Sequence, residues 1–318
     1  ARGMSGVARR DHGGGLDAAA DRFGGRRADW LDLSTGINPV PYPLPSLSGD
    51  AWSALPDRAA SEALEAAARR FWRVPDAAGV LPAPGASALI ARIPALRPAG
   101  RVEIRGPTYN EHAAAFAGAG WTVGEAGAAR VVVNPNNPDG RVWTAGEVLA
   151  GDPALVIIDE SFCDFAPERS VVSLAGRPGV LLLKSFGKFW GLAGLRLGFA
   201  IGDPALLEKM SEMLGPWPVS GPAMEVGAVA LRDEGWAAET RARLAADAAR
   251  LDSLMTGRGA RTAGGTPLFR LYEVDDAAAW QARLARHRVW SRVFPYSRHW
   301  LRLGLPAPGR WGQVEAAL

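Results

Sequence analysis

The chain has 318 residues, a net charge of +3 and a pI near 9.3, and its 33.6 kDa exceeds what one hydrophobic core usually spans, so two domains are expected. With 48% hydrophobic and 22% charged residues it has a globular balance, and its arginine-rich excess shows no dense basic run interleaved with aromatics, which argues against nucleic acid. The lone Cys163 excludes an internal disulfide, and the scattered His12, His112, His287 and His299 exclude a metal site at ordinary ligand spacing. No apolar run reaches the roughly eighteen residues of a membrane span, so a cytoplasmic protein without membrane partner or metal is expected.

The opening Ala1-Arg2-Gly3-Met4 lacks an apolar signal core, and Met4 is the expected native start. Residues 1–37 read as an N-terminal arm, with Gly13-Gly14-Gly15 followed by a helical stretch at Leu16–Phe23. A proline-rich connector, Pro39 to Pro45, opens the expected large domain, residues 38–232. There short apolar runs alternate with amphipathic stretches: Arg101–Ile104, Arg130–Val133, Leu155–Ile158, Val180–Leu183 and Leu197–Ile201. Each is bounded by Gly, Pro, Asn or Asp, the pattern of buried strands in an α/β sheet. Residues 233–318 form the expected smaller α+β domain, with a helix from Glu234 to Met255 ending at Gly257, a strand at Pro267–Tyr272, a helix at Ala277–His287 and a strand at Trp300–Leu305.

Chemistry concentrates in Leu181-Leu-Leu-Lys-Ser-Phe-Gly-Lys-Phe-Trp-Gly-Leu-Ala-Gly-Leu-Arg-Leu-Gly198. A lysine in a Ser/Gly-rich turn after a buried strand is partly desolvated, which lowers its pKa and frees its amine for imine chemistry. Lys184 and Lys188 both qualify. Arg196 is a fixed cation suited to phosphate, and Ser185 can donate to the same group. Two further segments follow strands: Val131-Val-Val-Asn-Pro-Asn-Asn-Pro-Asp-Gly140, and Val156-Ile-Ile-Asp-Glu-Ser-Phe-Cys-Asp164 with Asp159 at a strand's carboxyl edge. Pro84-Gly85-Ala86-Ser87 precedes a helical stretch whose first N–H groups suit an anion. Arg302 lies inside an apolar strand, where an unpaired charge is costly, so an anionic partner is expected. Arg298 reads as a solvated loop residue.

Taken in order, these segments resemble the signatures of class I/II aminotransferases, with the nearest likeness to histidinol-phosphate aminotransferases and the cobalamin-pathway threonine-phosphate decarboxylases. The resemblance runs from about residue 11 to 310. It implies an aspartate-aminotransferase-like, pyridoxal-phosphate-dependent fold: a large domain with a mixed, mostly parallel sheet plus a smaller α+β domain. It implies Lys188 as the Schiff-base lysine, since Lys184 stands four residues out of register with Arg196. By the same likeness Asp159 pairs with the cofactor's ring nitrogen, Asn137 with its ring oxygen, and Tyr109 of Gly106-Pro-Thr-Tyr109 stacks on the ring. Gly85, Ala86, Ser87, Ser185 and Arg196 hold its phosphate. Arg302 matches a carboxylate-binding strand arginine and Arg292 a second anion-binding arginine. A homodimer is also implied.

Two features favour the decarboxylase branch. Asp11-His-Gly-Gly-Gly15, followed by Trp30-Leu-Asp-Leu-Ser-Thr-Gly-Ile-Asn-Pro39, resembles the decarboxylases' opening, which makes His12 a candidate for the substrate phosphate; a capping or loop histidine is the alternative. Phe162 also stands where aminotransferases usually carry tyrosine. The implied reaction is decarboxylation of L-threonine O-3-phosphate to (R)-1-aminopropan-2-ol O-2-phosphate in cobalamin biosynthesis, with a histidinol-phosphate-type aminotransferase as the alternative. The chain departs from both branches at Leu55-Pro56-Asp57, where the partner subunit's phosphate-binding tyrosine would stand, and at Gly187, commonly Ser or Thr; its C-terminus also looks shortened.

Overall fold

The computed structural model describes residues 11–318; the expected start at Met4 and the first ten residues of the arm lie outside the described residues. The arm contributes α1 (Leu16–Phe23) and β1 (Leu31–Asp32). The larger part follows with α2 (Asp50–Ser53), α3 (Arg58–Trp72), β2 (Gly79–Ala83), α4 (Ala86–Ile90), β3 (Arg101–Ile104), α5 (Asn110–Gly118), β4 (Thr122–Gly124), β5 (Ala129–Val133), α6 (Ala145–Leu149), β6 (Leu155–Asp159), β7 (Val180–Ser185), β8 (Gly198–Gly202), α7 (Pro204–Leu214) and α8 (Gly221–Ala230). The C-terminal part holds α9 (Glu234–Thr256), β9 (Arg261–Thr266), β10 (Phe269–Glu273), α10 (Ala277–Arg286), β11 (Val289–Trp290), β12 (Arg292–Phe294), β13 (Ser297–Gly304) and α11 (Trp311–Ala317).

Seven strands form the main sheet in the order β2-β8-β7-β6-β5-β3-β4. The pairs from β7 to β4 are parallel, and β8 alone runs against its neighbours β7 and β2. Both faces of this sheet are covered: Leu155 and Ile157 of β6 join one apolar core while Val156 and Ile158 join the other. That double burial is why the strands read as unbroken apolar runs instead of alternating ones. Polar residues at helix starts fix the boundaries, as where Asp57, Asp233 and Asp276 accept N–H bonds from Ala60, Trp236 and Ala279.

A second, antiparallel sheet has the order β12-β13-β10-β9, and β1 pairs in parallel with β11, Leu31 opposite Val289. The arm thus joins the C-terminal sheet region, with Leu16, Ala19 and Trp30 packed on Ala285 of α10. The structure adds strands to the expected set. β9 carries Gly264 and Gly265 at positive φ and has no apolar signature. β2 contains Pro82, tolerated because β2 is the outermost strand and pairs only with β8. Arg298 is exposed as expected but sits on β13, not in a loop.

Candidate functional site

A cavity of about 600 Å³ opens where the carboxyl ends of β5, β6 and β7 face β12, β13 and residues 11–13. Open α/β sheets place ligands at this end of their strands because loops diverge there and leave a crevice. His12, Ala86, Ser87, Tyr109, Asn137, Asp159, Ser185, Lys188, Arg196, Arg292 and Arg302 all line it. Gly85 alone of the expected site residues is not among the lining, and its N–H is already donated to Ala83 O at 2.7 Å. That N–H is thus bonded within its own loop. The contribution of Gly85 is conformational: at φ +86°, any Cβ would lie 2.7 Å from Arg196 Nη2.

The sheet explains how separated residues converge. β7 and β8 are antiparallel with Ser185 opposite Gly198, so the turn between them launches Lys188 and returns Arg196 to the same edge. Gly198 has no side chain to hold α4 away; a Cβ there would sit 2.6 Å from Ala86 N. Ala86 and Ser87 open α4, and the first N–H groups of a helix have no partner within it. Burial pulls the Lys188 amine down to about 8, and nearby Arg302 adds to the effect against the opposing charge of Asp159. Its Nζ lies 5.3 Å from the Phe162 ring centroid.

Lys184 has a different environment. It is buried and paired with Glu160 at 2.7 Å and Asp164 at 3.6 Å. Burial lowers its pKa, but the two carboxylates outweigh burial and hold it above the ordinary lysine value. The carboxylates take further bonds: Trp72 and Trp190 donate to Asp164, and Ser170 and the Val171 N–H donate to Glu160.

Asp159 receives a 2.8 Å hydrogen bond from His112 Nε2 and further bonds from the Ser161 hydroxyl and N–H. Burial pushes its pKa up, yet these bonds and the histidine's charge prevail and hold the carboxyl below its usual range. In the sequence His112 stands out no more than the other three scattered histidines. Its signal was position: three residues after Tyr109, it shares a helical face with the ring that lines the cavity.

At the opposite wall, Arg302 is buried on β13, donating to Asn137 Oδ1 through Nη1 and to Ser34 O at 2.7 Å. Burial and the neighbouring Arg292 draw its guanidinium down to about 9, still cationic at neutral pH. Arg292 donates from Nη2 to the Asp11 carboxylate at 2.9 Å. The Nε atoms of Arg292 and Arg302 are buried and lack a hydrogen-bond partner among the described residues. His12 is exposed and pairs with Glu111 at 2.8 Å. Tyr296, from the β12–β13 turn, completes this wall and was not expected.

The cavity therefore has two cationic ends with an amine and an ionised carboxylate between them. Pyridoxal phosphate fits that donor set: the gap left by Gly85 and Gly198 gives Arg196 and the start of α4 a common approach to one anion, and Lys188 is held near the point of deprotonation. Among the described residues no cluster of three or more His, Cys, Asp or Glu side chains is placed to hold a metal, and no helix is long and apolar enough to cross a membrane.

Comparison with known proteins bears on the same architecture. The threonine-phosphate decarboxylase of Pseudomonas aeruginosa is 43% identical over 97% of each chain, and that of a Sinorhizobium species is 41% identical over 96% of each. Among solved structures, histidinol-phosphate aminotransferase from Sinorhizobium meliloti in complex with pyridoxal-5'-phosphate superposes with a TM-score of 0.79 at 18% identity, covering 96% of this chain and 93% of that one, and so shares the fold. The profile of aminotransferase class I and II matches residues 125–318, which include Lys188, Asp159, Asn137 and Arg196. The chain belongs to the class I and II aminotransferase family.

Proposed function

We propose that this chain is a pyridoxal-phosphate-dependent lyase that decarboxylates L-threonine O-3-phosphate to (R)-1-aminopropan-2-ol O-2-phosphate in cobalamin biosynthesis, as a cytoplasmic homodimer. The observation that carries the reading is the pair Arg292 and Arg302, lining the same cavity as Lys188. Two cations there suit a substrate with a carboxylate and a phosphate. The 43% identity to a threonine-phosphate decarboxylase supports the same choice.

In this reading Lys188 holds the cofactor covalently, Asp159 pairs with its ring nitrogen, Asn137 with its ring oxygen, and Tyr109 covers the ring. Arg196, Ser87, Ser185 and the first N–H groups of α4 hold its phosphate. When bound, the cofactor supplies an electron sink for the pair left behind as CO₂ departs. His112 keeps Asp159 ionised, which is what a protonated ring nitrogen requires. Arg302 holds the substrate carboxylate, and Arg292 with His12 holds its phosphate. The Lys188 amine, drawn down to about 8, can carry a proton and give it to Cα. Phe162, packed edge-on to Phe269, leaves no phenol beside the cofactor.

The dimer is supported by large apolar side chains left exposed: Leu44, Trp52, Leu55 and Trp217, at 57 to 74% of full exposure. The deciding experiment incubates the holoenzyme with L-threonine phosphate and measures CO₂ release against glutamate formation from 2-oxoglutarate. CO₂ release without need of an amino donor or acceptor is expected. Faster transamination of histidinol phosphate would assign the chain to the aminotransferase branch.

A further inference from the structure

Arg292 and Arg302 are register partners across β12 and β13. Like charges directly opposite on adjacent strands repel, and here burial adds to the cost. Compensation comes from Asp11, whose carboxylate accepts from Arg292 Nη2 at 2.9 Å and whose carbonyl accepts from the same nitrogen at 3.1 Å. Asp11 belongs to neither sheet. Asn110, the first residue of α5, donates to its carbonyl at 2.8 Å, and His12 beside it pairs with Glu111. Residues 11–13 thus line the cavity as a strap, tied to α5 on one side and to β12 by the Asp11–Arg292 pair on the other.

The grip of Asp11 on Arg292 is partial. A guanidinium takes a carboxylate or phosphate best through two parallel N–H bonds. Asp11 uses only Nη2, while Nε is buried without a partner among the described residues. The Asp11 side chain is 43% exposed, against 13% for Arg292, so the acid leaves for water more easily than the arginine. We propose that Asp11 is the resident counter-ion of this arginine pair and that the anionic end of the substrate displaces its carboxylate from Arg292 Nη2. The inference rests on reading Arg292 as the substrate's anion site. Substrate binding is then an exchange of one anion for another, and Asp11 weakens every anion that competes for the place.

Calorimetric titration of the holoenzyme with inorganic phosphate tests this, because the cofactor's own phosphate site is filled. Asp11→Asn should bind phosphate roughly two- to fivefold more tightly than wild type at low salt, the scale of a part-exposed ion pair. The gain should shrink as sodium chloride is added. Asp11→Glu, which keeps the charge, should stay near wild type. Unchanged or weaker phosphate binding in Asp11→Asn overturns the counter-ion role, as would Asp11→Glu behaving like Asp11→Asn. Arg292→Ala separates the two levels. If it loses phosphate while Asp11→Asn gains none, only the counter-ion inference falls; if it binds like wild type, the anion-site reading falls as well.

Discussion

Lys184 lies inside β7 among Trp72, Glu160 and Asp164, whereas Lys188 lies three residues past the end of that strand in the cavity. Removing Lys184 strands two buried carboxylates, and breaking a buried pair costs about 3–5 kcal/mol, so Lys184→Met should lower the urea midpoint sharply. Lys188→Met should instead leave the fold intact and abolish the visible absorbance that borohydride bleaches in the holoenzyme. The depressed Lys188 pKa also sets a pH window for the cofactor-free protein. Above its ordinary value of 10.5 the amine is neutral in both states; between about 8 and 10.5 only the unfolded chain keeps the proton, so stability climbs with pH across that window. Below about 8 both states are protonated, and the folded state bears the full cost of a buried charge. A urea series across the window should show a steeper climb in wild type than in Lys188→Met, where the buried Arg302, drawn down to about 9, still contributes a part. Asp159→Asn should retain cofactor but lose on the order of a hundredfold in kcat, since a neutral amide cannot hold a protonated ring nitrogen.

At the scale of elements, the central strands were readable because burial on both faces makes each a short apolar run. The strands that were missed lack that signal for separate reasons. β4 and β12 are three residues long and β1 and β11 two, β2 contains Pro82, and β9 is half exposed and glycine-containing. The site's cationic wall was legible as single residues, Arg292 and Arg302, but their pairing depends on the β12–β13 register, which no local pattern encodes. His112 was hidden for a similar reason: a lone histidine becomes informative only once β6 brings Asp159 against α5. The antiparallel β7–β8 pair gives a sharper prediction. Gly198→Ala would drive a Cβ to 2.6 Å from Ala86 N, so α4 must retreat from Arg196. Pyridoxal phosphate should then be lost faster on dialysis, with the secondary structure by circular dichroism unchanged.

Across the whole molecule, the exposed Trp52 and Trp217 lie near the contact of α2 with α8, where Gly221 packs against the Ala51 backbone and Ser48 bonds Glu225. Sedimentation should show a dimer in wild type and a shift toward monomer in Trp52→Glu, with no loss of thermal stability if the residue faces only the partner. The two walls of the cavity also come from distant parts of the chain. Ser34 accepts from Arg302 across 268 residues, and β1 finds its partner β11 only near the C-terminus. On the ribosome, the segment carrying Asn137, Asp159, Lys188 and Arg196 emerges about a hundred residues before Arg302 does. A nascent chain can therefore complete the cavity wall that carries Asp159 and Lys188 while the arginine wall is still unmade, and a later stretch of translation closes the cavity.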